Sequence, residues 1–342
     1  MALSDSLLDP LWSVTKDAIA NTFWDQSGTL NQPSHHVIAE TYWQFYVKEC
    51  ERALHDGGRH VLVRTHQDIL DIAKLVLERK SREDIRQRLR LKLTKSHDNE
   101  DELINRAIDL AATLLLMVDC TNVEYGFNGH HQLEWEEGSL NDCVRLYLDS
   151  KPALGHEGVK LPRIFNAKNL ECIAGIEVLP TSNLLDHLRL TDDDTKLHVF
   201  HHMSYLKRQT KSAILPEALL EETQRTLSLL FPQSDPTVRR WCRKALLRPS
   251  FDSQLISCGA LKTDDRQIEK FAYWHDRLVV LKQLFDEATP QTLSQWWHDR
   301  RNGVQWYTFW VAILILALTI FFGFIQSVEG ALQVWASFKG EE

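Results

Sequence analysis

The sequence lacks the local signatures by which many enzymes are recognised. It contains no glycine-rich phosphate loop, no Gly-x-Ser-x-Gly segment and no His-Glu-x-x-His segment. Its six cysteines are scattered singly without a Cys-x-x-Cys pair, so neither a disulfide framework nor a zinc finger is predicted. The sequence thus identifies no catalytic or cofactor-binding residue, and it favours a protein that is not an enzyme.

Positive charge is scarce. The chain has 39 lysines and arginines against 47 aspartates and glutamates, which gives a formal net charge of −8. A general nucleic-acid binder depends on lysine and arginine to neutralise phosphates. Nucleic acid is therefore not the expected partner, and a cytosolic protein partner is preferred.

Signals for secretion are missing as well. The first residues include Asp5 and Asp9 where a signal peptide carries positive charge, and no adequate apolar run follows them. The sequence has no Asn-x-Ser/Thr glycosylation acceptor. Both features predict that the body of the protein faces the cytosol.

One long hydrophobic run stands near the C-terminal end of the sequence. Residues 306–325 carry no charge, and a helix of that length spans the roughly 30 Å hydrocarbon core of a bilayer. We predict a transmembrane helix over residues 303–326, with lipid contact through 306–325 and a short tail at 327–342. The residues expected at the membrane interface are aromatic or basic: Trp296, Trp297, Arg300, Arg301, Trp306, Tyr307 and Trp310.

The charges around this run predict its direction. Arg300 and Arg301 precede the run, whereas only Lys339 follows it, which favours a cytosolic N-terminal side. The run ends seventeen residues before the last residue of the sequence, as is typical of a tail anchor. The sequence thus predicts a tail-anchored, single-pass membrane protein.

The body divides by pattern into three segments. Residues 1–58 are aromatic-rich and weakly periodic, and the pattern does not place them. Residues 59–210 are predicted to form a mixed α+β domain, and residues 211–302 a helical segment with a long amphipathic helix. The predicted fold class is mainly α with a small β component, a helical bundle and one C-terminal transmembrane helix.

Several helices are predicted from start signals and apolar spacing. Thr65 can cap one helix, and Ser81, with Asp84 three residues later, has the arrangement of a capping box for a second helix. The segment 103–117 is apolar on most faces and predicts a helix deep in the core. A helix of about twenty-five residues is predicted from Thr263, and a short one is predicted after Thr289.

The strand signals lie between residues 132 and 200. Alternation predicts a half-buried strand over 132–136, and Pro180 places a second strand at a sheet edge or the proline itself at a strand end. Residues 192–194 are three aspartates typical of a turn. Apolar and polar residues alternate on both sides of them, which predicts a hairpin. Helix, strand, helix, helix and hairpin is the order of a winged helix, and its acidic tip favours contact with protein over DNA.

Histidines supply the candidates for a metal site. His198, His201 and His202 cluster, and on a helix His198 and His202 would share a face and could hold zinc. On a strand, His201 points away from the other two. Since no cysteine or paired carboxylate stands at ligand spacing, we expect surface or half-buried histidines and no cofactor.

A basic stretch includes Arg86, Arg88 and Arg90. One interpretation is a solvated helix face balanced by the acidic residues that follow it. The alternative hypothesis is contact with anionic lipid headgroups or with an acidic partner.

Three segments in the second half of the chain resemble a known group of sequences. The segments DHLRLTDDDTKLHVFHHMSYLK and LLFPQSD, followed by the block that enters the apolar run, resemble an uncharacterised family of filamentous-fungal proteins with a single C-terminal transmembrane helix. The resemblance covers roughly residues 160–335. It implies a fungal membrane-anchored protein and transfers no functional residue.

Three functional hypotheses follow from these patterns. The first is a tail-anchored membrane protein that presents a cytosolic adaptor or scaffold module to other proteins. The second is a membrane-tethered, winged-helix-like regulatory or nucleic-acid-binding protein. The third is an enzyme with a site assembled from residues that are distant in sequence.

Overall fold

The computed structural model describes residues 3–24, 40–93, 99–120, 129–149, 153–155, 158–209, 214–246, 251–290, 292–299, 301 and 303–339. The described chain is mainly helical, with one small sheet. Its α-helices are α1 (Ser13–Trp24), α2 (Glu40–Ala53), α3 (His66–Leu77), α4 (Arg82–Lys92), α5 (Glu100–Leu116), α6 (Leu140–Leu148), α7 (Ala167–Asn169), α8 (Met203–Gln209), α9 (Glu217–Leu230), α10 (Pro236–Leu246), α11 (His275–Glu287), α12 (Leu293–His298) and α13 (Gly303–Lys339). The mainly helical class is confirmed.

The described residues separate into two compact units. The first comprises Met1–Glu171 and Ile176–Glu287, and the second comprises Cys172–Gly175 and Ala288–Glu342. Helices α1 to α11 and the sheet belong to the first unit, whereas α12 and the long helix α13 belong to the second.

Helix α5 lies at the centre of the first unit, as its apolar faces predict. Its alanines Ala107, Ala111 and Ala112 are fully buried, so neighbouring helices can approach closely. Tyr42 and Tyr205 donate hydrogen bonds to the carbonyls at the C-terminal end of α5, at 2.9 and 3.1 Å. These bonds satisfy buried polar groups that would otherwise be costly.

The sheet contains β1 (Glu177–Thr181), β2 (Arg189–Thr191) and β3 (Lys196–Phe200), in the order β1-β3-β2. Strands β2 and β3 form the predicted antiparallel hairpin, and the three aspartates of its turn have φ angles of 53°, 51° and 63°. Short polar side chains tolerate this left-handed backbone better than most residues. Strand β1 pairs in parallel with β3 as an edge strand, as Pro180 predicts.

The strand predicted over residues 132–136 is wrong. This segment is extended but pairs with no strand of the described chain. Its alternation instead reflects burial, since Leu133 and Trp135 are buried while Glu134 and Glu136 are exposed. The third strand beside the hairpin is therefore β1, parallel to β3, and not the earlier segment.

The start of the helix predicted from Thr263 is also wrong, because the helix begins at His275. Two short 3-10 turns, Thr263–Arg266 and Ile268–Lys270, precede α11. The Glu222 carboxylate accepts the backbone N–H groups of Ala272 and Trp274 at 2.8 and 2.7 Å. These donors are engaged outside a helix, which explains why α11 begins only at His275.

The predicted cap at Thr65 and the predicted capping box at Ser81 are confirmed, and Thr65 also forms a capping box. Thr65 and Ser81 each accept from the backbone N–H three residues later, and Asp68 and Asp84 return the bond. The prediction of a cap at Thr289 is wrong, because Thr292 caps α12.

We expect Thr65→Ala to reduce the free energy of unfolding by about 1 kcal/mol, because the first turn of α3 loses its side-chain acceptor. Urea unfolding of the full-length protein in detergent, followed by tryptophan fluorescence, measures this change. Thr65→Ser keeps the hydroxyl and is the control, so equal losses in both variants would contradict the capping role.

Candidate functional site: the apolar helix and a histidine–aspartate cluster

Helix α13 is long and apolar enough to cross a membrane. Residues Gly303–Trp335 form a 33-residue candidate span, and no residue of its most apolar window is buried. The hydroxyls of Thr308, Thr319 and Ser327 each donate to the carbonyl four residues earlier, at 2.8 to 2.9 Å. These three hydroxyls are thus satisfied within the helix, which suits a lipid environment.

An aromatic cluster surrounds the first turns of α13. Trp296 of α12 stacks on Phe309 with ring centroids 4.3 Å apart, and Trp297 meets Trp310 edge-on at 4.9 Å. Trp306 and Tyr307 join the same cluster. The structure therefore brings together all five aromatic residues that the sequence assigns to the membrane interface, at one end of the apolar stretch.

Two basic residues, Arg300 and Arg301, precede α13. Arg301 pairs with Asp299 at 2.8 Å and donates to the Ala288 carbonyl at 2.5 Å, so its guanidinium is held between these two residues. Arg300 lies outside the described residues.

The predicted metal candidates are engaged in separate hydrogen bonds. His201 and His202 lie side by side with ring centroids 3.9 Å apart, and both are buried, so the expectation of surface or half-buried histidines is wrong for these two. His198 contacts the Thr191 hydroxyl at 3.0 Å through Nε2, and His202 contacts the Ser182 hydroxyl at 3.1 Å through Nε2. His201 accepts the backbone N–H of Asp252 at 3.0 Å through Nδ1. Among the described residues, no group of three or more His, Cys, Asp and Glu side chains is arranged to hold a metal ion.

The basic stretch lies on α4 beside acidic and amide partners. Arg86 donates to Asn105 at 2.7 Å, and Arg90 pairs with Asp101, while Arg88 is exposed. Two of the three arginines are thus engaged within the protein, and the third faces solvent.

A buried carboxylate forms a cluster that the sequence did not predict. Asp186 ends a 3-10 turn after Asn183 and has 0% of its surface exposed. Its Oδ1 accepts from the backbone N and the Nδ1 of His131, both at 3.0 Å, and its Oδ2 accepts from His130 Nδ1 at 2.6 Å. Asn183 and Arg189 complete the set at 3.1 and 3.4 Å.

These bonds set the charge of the cluster. Burial alone would raise the pKa of Asp186, but the bonds from His131 and His130 and the charge of Arg189 outweigh it and hold that pKa well below its usual range. An ionised carboxylate only accepts hydrogen bonds, so both histidines donate to it through Nδ1. Asp186 therefore fixes the orientation of two adjacent imidazoles.

We expect Asp186→Asn to destabilise the protein by about 3 kcal/mol, because an amide nitrogen would face donors that now meet a carboxylate oxygen. Chemical unfolding of the full-length protein measures the loss. Asp193→Asn, at the exposed hairpin tip, is the matched control and leaves stability within about 0.5 kcal/mol. A loss as small as that of the control would show that the cluster contributes little to stability.

The sequence offered one signal for this cluster, the adjacent pair His130 and His131. Asp186 stands 55 residues beyond His131, and no local pattern connects them.

Comparisons with known proteins give no relative. No protein-family model matches the chain, and no curated protein or solved structure matches it.

Proposed function

We propose that the protein is a tail-anchored, single-pass membrane protein whose first unit works on the cytosolic side as a protein-interaction module. The observation that carries the anchoring is the uncharged stretch 306–325 of α13, since no residue in the most apolar window of this helix is buried. Water solvates such a surface poorly, whereas a bilayer matches its length and its aromatic end. The resemblance to filamentous-fungal proteins supports the same arrangement.

The direction is proposed from charge. Arg300 and Arg301 stand before the span and Lys339 after it, and the excess of positive charge favours the cytosol. Epitopes at both ends of the full-length protein test this in cells with a selectively permeabilised plasma membrane. We expect an antibody to stain the N-terminal epitope at once and the C-terminal epitope only after all membranes are opened. The reverse order would reject the proposed direction.

The interaction role is supported by apolar side chains that the first unit leaves in solvent. Leu8, Trp12 and Val14 stand close together in sequence, and each is more than half exposed, with Trp12 at 64%. Exposed aromatic residues of this kind are enriched at protein interfaces. A photo-crosslinking residue at position 12 is expected to yield a discrete protein adduct in native membranes. The same residue at position 91, which is 87% exposed on α4, is the control, and equal labelling from both sites would contradict a specific surface.

One observation favours the enzyme hypothesis as the second candidate. His131 is oriented by a buried carboxylate through Nδ1, and its Nε2 faces a pocket beside Arg277, an arrangement suited to proton transfer. The cluster carries no reaction by itself, so the anchored interaction module remains the conclusion.

A further inference from the structure

A pocket of about 430 Å³ lies in the first unit beside the Asp186 cluster. It is formed where the start of α11 meets the C-terminal end of α6, the 3-10 turn at Asp186 and helix α9. This volume falls in the range of small-molecule sites. Aromatic and aliphatic side chains form much of its wall, among them Tyr147, Leu148, Tyr273 and Trp274.

Arg277 is the cation of this pocket. Its Nη1 donates to the carbonyls of Leu185 and His187 at 2.7 and 2.5 Å, and its Nη2 lies 3.5 Å from His131 Nε2. A guanidinium has five N–H donors, so these three contacts leave two. The bonds to the Leu185 and His187 carbonyls, at the end of one 3-10 turn, fix the group at the pocket wall.

The charge of Arg277 lacks a close counter-ion. Among the described residues, no carboxylate lies within 4.0 Å of its guanidinium, and burial lowers its pKa. The nearest acids are already committed: Asp186 to its two histidines and Arg189, and Asp276 to the backbone N–H groups of Ala153 and Leu154 and to His275. A desolvated cation without an ion pair is costly unless an anion joins it.

His131 supplies a second polar atom on the same wall. Its Nδ1 is held by Asp186, so its Nε2 lies near Arg277 with the ring already oriented. A ligand that meets Arg277 therefore also meets a fixed imidazole. Rings fixed before binding lose little freedom when a ligand arrives.

From these contacts we propose that the pocket binds a small organic anion, a carboxylate or a phosphate carried on an aromatic or branched apolar body. Arg277 pairs with the anionic group, His131 donates a hydrogen bond to the same group from Nε2–H in the complex, and the apolar body lies against Trp274 and its neighbours. Guanidinium groups match both carboxylate and phosphate, and Arg277 stacks on Trp274 at 5.2 Å, which places the cation beside the aromatic wall. The site is independent of membrane anchoring.

Equilibrium dialysis of the full-length protein in lipid nanodiscs, with empty nanodiscs as the blank, tests the proposal. The probes are phenylacetate and phenyl phosphate as the two anions, benzyl alcohol as the neutral analogue and phenethylamine as the cation. We expect saturable binding of at least one anion, at least ten-fold tighter than that of the alcohol or the amine. The comparison of the two anions identifies the anionic group.

Two matched variants locate the site. His131→Phe and His130→Phe both remove a ring nitrogen that donates to Asp186, but only His131 lines the pocket. We expect His131→Phe to weaken anion binding about ten-fold and His130→Phe to leave it within two-fold. Ala272→Trp, which fills the pocket from an exposed position, is expected to abolish binding in a protein that still unfolds cooperatively.

The outcomes that overturn the proposal are distinct. Absence of saturable anion binding, or equal binding of the alcohol, would reject an anion site. Equal loss in His131→Phe and His130→Phe, with retention in Ala272→Trp, would show that the anion binds elsewhere.

Discussion

We expect Leu314→Arg combined with Leu318→Arg to release the full-length protein from membranes. Both side chains lie near the middle of the uncharged stretch and more than 40% of each is exposed. A buried arginine at the centre of a membrane span costs about 3 kcal/mol on insertion, so two cost about 6 kcal/mol. Such a cost changes the partition between membrane and water by roughly four orders of magnitude.

Flotation of membranes on a density gradient measures this effect. The matched control places the same two substitutions in the first unit, as Leu91→Arg and Leu146→Arg, where both leucines are more than 80% exposed. This control protein is expected to float with the membranes as the unmodified protein does. If the variant in α13 floated equally well, contact between α13 and lipid would not be what holds the protein on the membrane.

We further expect the protein to lose stability steeply in mild acid because of three buried histidines. Burial lowers the pKa of His187 and His201 to about 3, and burial together with the neighbouring His201 lowers that of His202. His187 shows why the neutral form is required. Its Nδ1 accepts the Phe200 backbone N–H at 3.1 Å, and its Nε2 meets the Thr226 hydroxyl at 2.6 Å, so a proton on Nδ1 would break the first bond.

Because the pKa values of these histidines are lowered in the folded state, the free energy of unfolding falls as the solution becomes acidic. In the unfolded chain a histidine titrates near 6.5. Below that pH the unfolded state therefore binds protons that the folded state does not bind. The stabilising contribution is complete above about pH 6.5 and is lost as the pH falls toward the folded values. Each histidine costs about 1.4 kcal/mol per pH unit, so the three together cost about 6 kcal/mol between pH 6.5 and 5.

Urea unfolding of the full-length protein in detergent, between pH 7.5 and 5, measures this loss. Glu49 and Asp109, whose pKa values are raised by burial, act in the opposite direction, whereas His66 and His198, whose pKa values burial lowers, add to the loss. We expect His187→Gln to reduce the pH dependence by up to about one third, because one of the three most strongly shifted histidines is removed. Exposed His55 provides the control His55→Gln, with no change of slope. A stability that is flat over this pH range would contradict the assignment.

Local chemistry explains what the sequence predicted well. The caps at Thr65 and Ser81 and the turn of three aspartates each depend on residues within four positions. The burial of α5 follows from its composition alone. Such features need no knowledge of the rest of the chain.

Long-range contacts explain which features the sequence predicted poorly, namely the start of α11, the segment around Trp135 and the Asp186 cluster. Glu222 takes the N–H groups that a longer helix before His275 would have used, across about fifty residues. The extended segment around Trp135 is buried in the first unit, yet it joins no strand. In the same way Asp186 collects two histidines, and Arg277 reaches His131 across 146 residues. Pairings of this kind are decided by tertiary packing, which periodicity does not encode.

The anchoring by α13 is tested most directly by alkaline extraction of membranes that contain the unmodified full-length protein. Alkali releases proteins held by surface contacts, whereas a helix that crosses the hydrocarbon core stays with the lipid. We expect the protein to remain in the membrane pellet. Release of most of the protein into the alkaline supernatant would contradict a membrane-spanning α13.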